Sequence, residues 1–336
     1  MKSEDIIMKT GIVHILDSSV GVPVLSDCPI DLSGDLSDFF KAHIEKFTES
    51  DEVKLCRFGN DSPVRQLLEQ CTPDTFVETS RQLAQLLYDI MNANIDIPPA
   101  DIAVVVFSAG GNDYLALLKM NYKTSYTHLT REQEGKNTNS IILQKALLPS
   151  QGQKLSEAFA VNLGTGELLV TEKKYEVNGE KRLYFSELYL ECHAPLSQKS
   201  KLDIVTRAVD QVSRKYYGDD DAERKMEIKN VIYKELEEEG AIKVESLREK
   251  VFPDSPEMQT AFDEKMEKYN LSYETVQPKN EQTVKKFQRQ HLTTDTGIEI
   301  TIPMEEYQNP DRVEFITNPD GTISVLIKNI GHLMSK

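Results

Sequence analysis

The chain has 336 residues, of which 39% are hydrophobic and 28% charged, a composition typical of soluble globular proteins. That length allows a sizeable core, in one large domain or in two. The formal net charge of −16 argues against a protein that coats phosphate backbones with its whole surface, so any nucleic-acid contact must come from a local basic patch.

Cysteine usage and the apolar runs bear on the compartment. The four cysteines show no metal-ligand spacing, and we interpret them as reduced thiols of a cytosolic protein. Residues 1–5 lack the apolar segment of a secretory signal. The longest apolar run, Ile102–Phe107, is too short to span a bilayer. The sequence therefore predicts a soluble, cytoplasmic protein without a membrane contact.

The N-terminal part is predicted to combine strands and helices. Strands are expected at Ile6–Leu16 and Val22–Leu25, joined by a turn at Asp17–Gly21 whose residue types favour a reversal. Two helices follow, one from Ser37 to about Thr48 and one over Asp74–Asn94, because apolar residues recur there at helical spacing.

A meander of antiparallel strands is predicted between Asp101 and Cys192, where short apolar runs alternate with turn signals. Asn178-Gly179 is its strongest turn signal, because a type I′ turn requires positive φ at both central residues. Residues 101–195 carry 10 lysines and arginines against 11 acidic residues, so this region is nearly neutral. The predicted strands are Asp101–Ala109, Tyr114–Leu129, Ser140–Leu147, Leu155–Leu163, Leu168–Val177 and Glu180–Leu190.

A two-residue loop at Asn178-Gly179 would fix the register of its hairpin. Val177 would face Glu180, and Tyr175 would face Arg182. The same register continued would pair Lys173 with Tyr184 and Leu169 with Leu188. The tip of this hairpin would then be charged and solvent-exposed, with its lysine and arginine close enough to the tyrosine rings for cation–π contact.

Beyond a linker near residue 195 the apolar period changes to 3.6, which predicts helices. A helix after Ser255-Pro256 has a clear start, since serine is a good N-cap and proline suits the first helical position. The other predicted helices are Lys201–Tyr217, Ala222–Glu239 and Glu245–Val251. Strands return at Ile298–Ile302, Val313–Thr317 and Thr322–Lys328, the last two joined by a turn at Asn318-Pro319-Asp320-Gly321.

The predicted fold class is α+β. Residues 1–195 would form an α+β domain with an antiparallel sheet and packed helices. Residues 196–336 would form a mainly helical domain that ends in a small β element.

Enzyme signatures are largely missing from the sequence. Gly164-Thr165-Gly166 is better interpreted as a hairpin turn than as a phosphate loop, because no helix follows it. Cys192-His193 is a weak candidate for a nucleophile–base pair, since neighbours on a strand point to opposite faces. The histidines have no ligand spacing. We therefore predict no catalytic residues, no metal and no cofactor.

Two alternatives involving DNA chemistry are weighed. Glu172-Lys173-Lys174 on a strand, with Asp113, resembles the carboxylate–lysine arrangement of metal-dependent nucleases, but the predicted register places Glu172 near a hairpin tip and not in a cleft. A helix-turn-helix in residues 222–269 would use the helix after Ser255 for recognition. That helix is net negative, with lysines only at Lys265 and Lys268, so we reject it as a groove reader.

Three small basic clusters are the remaining candidates for nucleic-acid contact, each weighed against an ordinary salt-bridged surface. One lies at the Asn-Gly hairpin, one on the helix at residues 201–217 and one near residue 287. Their members are Lys173, Lys174, Lys181 and Arg182 in the first, Arg207, Arg214 and Lys215 in the second, and Lys285, Lys286 and Arg289 in the third.

The order of segments along the whole chain resembles the bacterial 37-kDa nucleoid-associated protein family. The similarity rests on Ile12–Asp17, Phe107–Leu118, Phe185 with the helix Leu202–Tyr217, Val284–Phe287, Gly297–Ile300 and Asp320–Ile330. It implies a cytoplasmic protein found with the nucleoid, and no catalytic residues carry over. One departure is Leu190–Pro195, where members have a basic, glycine-containing stretch, and this argues against a DNA contact at that junction.

From these observations we predict a nucleoid-associated, non-enzymatic protein. It would contact DNA weakly and without sequence preference, or dock onto proteins of the nucleoid that handle DNA. The alternative is a protein-interaction scaffold or DNA-charge mimic, for which an acidic surface is an advantage. A metal-dependent nuclease ranks last. A homodimer is expected from base rates alone.

Overall fold

A computed structural model of the chain describes residues 1–18, 21–133, 135–218, 222–307, 309–332 and 334. The chain divides into two compact units, Met1–Ser197 and Gln198–Lys336. The fold class is α+β, as predicted from the sequence.

Unit 1 combines a large antiparallel sheet with helices on both of its faces. After a short 3₁₀ turn at Ser3–Asp5, its elements in chain order are β1 (Ile7–Leu16), α1 (Gly34–Thr48), β2 (Lys54–Phe58), α2 (Pro63–Glu69), α3 (Phe76–Ala93), β3 (Ala100–Ala109), β4 (Asn112–Asn121), β5 (Lys123–Gln133), β6 (Lys136–Leu147), β7 (Glu157–Asn162), β8 (Leu168–Thr171), β9 (Tyr175–Val177), β10 (Glu180–Arg182), a π-helical turn at Phe185–Tyr189, and β11 (Cys192–His193).

The main sheet has the strand order β1-β3-β4-β7-β8-β2-β11, and every neighbouring pair is antiparallel. Side chains of β3 alternate between two cores because successive residues of a strand point to opposite faces. Ile102 and Val104 pack with α3, while Ala103 and Val105 pack with α1. This double burial explains why the central strands are continuous apolar runs.

A buried ion pair joins two central strands of this sheet. Lys119 of β4 lies directly opposite Glu157 of β7, and Lys119 Nζ is 3.5 Å from Glu157 Oε2. Both side chains are fully buried. Lys119 also donates to the Pro98 carbonyl at 3.2 Å and to the side-chain oxygen of Asn121. Burial lowers the pKa of Lys119, and the nearby carboxylate opposes that effect.

The Asn178-Gly179 hairpin is confirmed over its first three pairs, with both turn residues at positive φ. The predicted continuation, Lys173 with Tyr184 and Leu169 with Leu188, is wrong. Strand β10 ends at Arg182, and the chain then turns into a π-helical segment. The reason is packing: Tyr184, Phe185 and Tyr189 all enter the core beside α3, and helical spacing brings them to one side where strand alternation would not.

The predicted strand Tyr114–Leu129 is divided in two at Tyr122, whose hydroxyl donates to Asp101 Oδ1 at 2.6 Å. Beyond that break, β5 and β6 pair only with each other among the described strands. We call residues 123–147 the ribbon. No described residue of the ribbon is buried.

Several other expectations for unit 1 need correction. Strand β2 and helix α2 were not predicted from the sequence, because both are too short to show a clear periodic pattern. The second predicted strand, Val22–Leu25, is reduced to one bridge between Val24 and Ile15. The predicted turn Asp17–Gly21 falls partly outside the described residues.

Unit 2 packs four helices around one apolar core, with small strand pairs beside them. Ser255 Oγ accepts from the Met258 amide and Pro256 occupies the first turn, so the predicted helix start is confirmed. The predicted turn at residues 318–321 is also confirmed, with the Asn318 amide donating to the Thr322 carbonyl at 2.8 Å. The elements are α4 (Gln198–Tyr217), α5 (Ala222–Glu238), β12 (Ile242–Lys243), α6 (Val244–Val251), α7 (Pro256–Glu267), β13 (Thr275–Val276), α8 (Glu281–Lys285), β14 (Arg289–Thr293), β15 (Glu299–Pro303), α9 (Met304–Tyr307), β16 (Val313–Thr317) and β17 (Ile323–Ile327).

Candidate nucleic-acid interface

The first predicted basic cluster lies at the β9–β10 hairpin of unit 1, interleaved with acids. Lys173 Nζ sits 5.7 Å from the centre of the Tyr175 ring, so the expected cation–π contact is present there. Arg182 Nε donates to Glu187 Oε2 at 2.9 Å. Lys181 is opposite Glu176 across the hairpin, and both it and Lys174 are exposed. Nearby carboxylates therefore offset much of the positive charge at this tip.

The carboxylates of the nuclease alternative are both engaged elsewhere. Glu172 is fully buried, not at an exposed tip as predicted; its carboxylate accepts from Lys54 Nζ at 2.8 Å and from the Ser186 amide at 2.9 Å. Asp113 accepts from Lys9 Nζ at 2.6 Å, and this bond is the main reason that its pKa is lowered. Within the described residues, no group of three or more histidine, cysteine or carboxylate side chains could hold a metal ion.

Cys192 and His193 form the edge strand β11 on β2 and face different environments. Cys192 is half-buried, while His193 is exposed opposite Arg57. The neighbouring Cys192 thiol, together with burial, raises the pKa of the buried Cys56 thiol. Cys56 is therefore held in its protonated form, which is a poor nucleophile.

The second predicted cluster lies on helix α4 of unit 2. Arg214 forms an ion pair with Asp210 one turn earlier, at 3.1 Å. Lys215 Nζ lies 5.1 Å from the centre of the Tyr216 ring. Arg207 differs from both, because in the described part of the chain it pairs with no carboxylate.

Arg207 opens onto a pocket of about 330 Å³ between α4 and the end of α7. Lys265 and Lys268 line the same pocket, and no aspartate or glutamate does. Lys265 Nζ donates to Gln211 Oε1 at 2.8 Å, a neutral partner that leaves its charge uncompensated. Tyr269 also lines the pocket and is 47% exposed. The full lining of this α4–α7 pocket is Ile204, Arg207, Ala208, Gln211, Lys265, Lys268 and Tyr269.

Charge is segregated around helix α7. Lys265 and Lys268, three residues apart, share the side that faces α4, since residues at that spacing are neighbours on a helix surface. Asp263 and Glu267 lie on the other side, where they line a pocket of about 490 Å³ with Arg248. Arg248 forms an ion pair with Asp263. The net charge of the helix, on which its rejection as a groove reader rested, does not reveal that Lys265 and Lys268 lie together on the side facing α4.

The third predicted cluster lies beside α8 and at the start of β14. Lys285 pairs with Glu281 at 3.3 Å, whereas Lys286 and Arg289 are exposed. Lys229 of α5 joins them, because its Nζ donates to the Arg289 carbonyl at 2.6 Å. Burial lowers the pKa of Lys229. Sequence reasoning missed Lys229, since it is 60 residues from Arg289 along the chain.

None of the helices, within the described residues, is long and apolar enough to cross a membrane. The search of curated proteins returned no match to this chain. A family model described as nucleoid-associated protein YejK matches residues 12–334, which is nearly the whole chain and agrees with the resemblance found in the sequence. The chain therefore belongs to the family of nucleoid-associated protein YejK.

Proposed function

We propose that this chain is a non-enzymatic protein of the cytoplasmic nucleoid that contacts DNA directly, without sequence preference, through the α4–α7 pocket. One observation carries the proposal: Arg207, Lys265 and Lys268 line one pocket without a carboxylate, in a chain whose formal net charge is −16. In the predicted basic clusters, by contrast, Arg182, Arg214 and Lys285 each pair with a carboxylate. A group of cations kept apart from the acidic surface suits an anionic ligand.

The chemistry of the pocket fits a phosphate backbone. Guanidinium and ammonium groups donate charge-assisted hydrogen bonds to phosphate oxygens, and such contacts carry affinity without reading sequence. Tyr269 adds an exposed ring beside the cations, a combination that also accommodates sugars and unpaired bases.

The other candidate residues are assigned a supporting part. Arg214 and Lys215 continue along α4 from the pocket, and Arg214 is already paired with Asp210. The hairpin residues Lys173, Lys174, Lys181 and Arg182, and the unit 2 residues Lys285, Lys286 and Arg289, would add non-specific attraction, because several of them share their surface with carboxylates.

The test is the triple change Arg207→Ala, Lys265→Ala and Lys268→Ala in the full chain. Binding to a fluorescent duplex of random sequence is measured by anisotropy at low salt. We expect affinity to fall on the order of 100-fold, since each of the three lost phosphate contacts is worth on the order of 1 kcal/mol.

The matched control removes the same number of charges from the hairpin by Lys173→Ala, Lys174→Ala and Lys181→Ala, with a much smaller expected loss. Equal losses in the two variants would mean that net charge, and not the pocket, governs binding. Unchanged affinity in the pocket variant would refute the assignment.

A second function, docking onto a DNA-handling protein, is favoured by the acidic pocket on the other side of α7. Glu245, Asp263, Glu267 and Glu274 contribute to its lining, a surface suited to a basic partner. Pull-down from a nuclease-treated lysate separates the two functions. Partners that disappear with the DNA favour direct DNA contact, and partners that remain favour a scaffold.

A further inference from the structure

We propose that the ribbon is a homodimerisation element, in which strand β6 pairs antiparallel with β6 of a second copy to form one four-stranded sheet. The starting observation is that β5 and β6 form ten paired positions yet make no sheet with any other described strand. An isolated two-stranded hairpin is only marginally stable in water, and three or more strands are normally needed.

One face of the ribbon carries apolar side chains that nothing in the described chain covers. Tyr126 lies opposite Leu143, and His128 lies opposite Ile141. Tyr126 is 73% exposed, Ile141 78% and Leu143 44%. Exposed apolar side chains of this kind mark an interaction surface, and pairing through β6 would bring Ile141 of one copy beside Leu143 of the other.

The outer edge of β6 lacks the protection that monomeric proteins give to edge strands. Residues 137–144 read Asn-Thr-Asn-Ser-Ile-Ile-Leu-Gln, with no charge, glycine or proline. Lysines, prolines and bulges are the usual means of blocking pairing at an edge. Strand β5 is likewise uncharged over residues 124–130, so charge alone does not distinguish the two edges. The apolar triplet Ile141–Leu143 occurs only on β6, and it selects β6 as the pairing strand.

A two-fold axis at Ile142 gives the best register for two copies. Ile142 then faces Ile142 of the second copy, and Ile141 faces Leu143, so the apolar triplet pairs with itself. Lys145 faces the neutral Asn139, which avoids opposing like charges. Such a self-complementary patch is what an isologous dimer requires.

The opposite charges of the ribbon and the rest of the chain support a second copy of this chain as the partner of the ribbon. The ribbon has a formal charge of +2, from Lys123, Arg131, Lys136 and Lys145 against Glu132 and Glu134. Because the whole chain has a net charge of −16, the residues outside the ribbon have a net charge of −18. Antiparallel pairing carries Arg131 and Lys136 of each copy to the base of the other ribbon, toward an acidic body. The ribbon is thus complementary in sign to the molecule that it would join.

The test measures the mass of the full chain by light scattering across a concentration series. The native chain is expected at the mass of two chains. Ile141→Lys with Leu143→Lys places lysines opposite each other across the axis and should raise the dimer dissociation constant at least about tenfold. The matched control, Ile316→Lys with Leu326→Lys, alters exposed apolar positions of the separate β16–β17 hairpin and should leave the mass unchanged.

A second measurement identifies the edge. Ile142→Cys should cross-link two chains under mild oxidation well above the background of the native cysteines, whereas Thr127→Cys, at the position opposite Ile142 on β5, should not. A native chain that stays monomeric, or a dimer that persists in the lysine variant, overturns the proposal. So does loss of DNA binding in that variant without a change in mass, which would make the ribbon a DNA contact.

Discussion

His14 is a buried imidazole with both ring nitrogens engaged. The Ser26 amide donates to Nδ1 at 3.0 Å, so the proton is on Nε2, which lies 3.0 Å from Ser80 Oγ. Ser80 in turn donates to the Val77 carbonyl. Burial, with a smaller effect from the Arg81 charge, lowers the pKa of His14 to about 4. The folded state therefore holds this ring neutral.

This arrangement predicts a loss of stability in acid. An imidazole of the unfolded chain binds its proton near pH 6.5, so the contribution of His14 is complete above that pH and is lost as the pH falls toward 4. The change amounts to about 3 kcal/mol. Hydrogen exchange of the β1 amides in urea, compared between native chain and His14→Gln, should show the pH slope shrink in the variant.

The exposed His332→Gln serves as the control and should keep the native slope. His43, also buried with a lowered pKa, contributes with the same sign in both proteins and cancels in the comparison. An unchanged slope in His14→Gln would show that His14 is not the group that titrates.

At the scale of elements, the corner between β2 and α2 is clamped onto the segment that precedes β11. The Gly59 amide donates to the Glu191 carbonyl at 2.8 Å, and Ser62 Oγ donates to the Leu190 carbonyl at 2.7 Å. Glu191 adopts φ 45°, which is unusual for a residue with a side chain. A methyl group on Gly59 would lie 2.8 Å from the Glu191 oxygen.

Gly59→Ala is therefore expected to destabilise unit 1 by about 2 kcal/mol, because either the β2–α2 corner or the Glu191 segment must move. Gly152→Ala is the matched control, since a methyl group there meets no atom within 4 Å. Urea unfolding curves measure both. Equal stability of the two variants would contradict the close approach.

Elements with a strong local signal were predictable, and those chosen by tertiary packing were not. The Ser255-Pro256 helix start and the Asn178-Gly179 turn depend on the chemistry of a few adjacent residues, and both are confirmed. The π-helical turn at Phe185–Tyr189 depends on a core built from distant segments, so strand propensity gave the wrong result there.

The residues of the α4–α7 pocket show the same difference between local sequence signals and tertiary packing. Arg207 was found from its own helix, but its neighbours Lys265 and Lys268 come from a helix judged by net charge, and only tertiary structure separates their side from the acidic one.

For the whole molecule, the net charge of −16 repels DNA, so affinity must come from local phosphate contacts, and the release of counterions at those contacts makes binding weaken with salt. Three phosphate contacts give a slope of about −2.7 in log affinity against log salt, hence a loss on the order of 40-fold between 50 and 200 mM. Anisotropy titrations at several salt concentrations measure this slope. Engagement of the ten cations of the three predicted basic clusters would instead give about −9, and a slope near zero would exclude phosphate contacts.

The buried pair Lys119–Glu157 has a consequence for how the sheet of unit 1 selects its alignment. The two residues are opposite each other only in the native register of β4 and β7. A slip of one residue would turn them to opposite faces, and two uncompensated buried charges would cost several kcal/mol. This charged pair therefore disfavours folding intermediates in which β4 and β7 are misaligned.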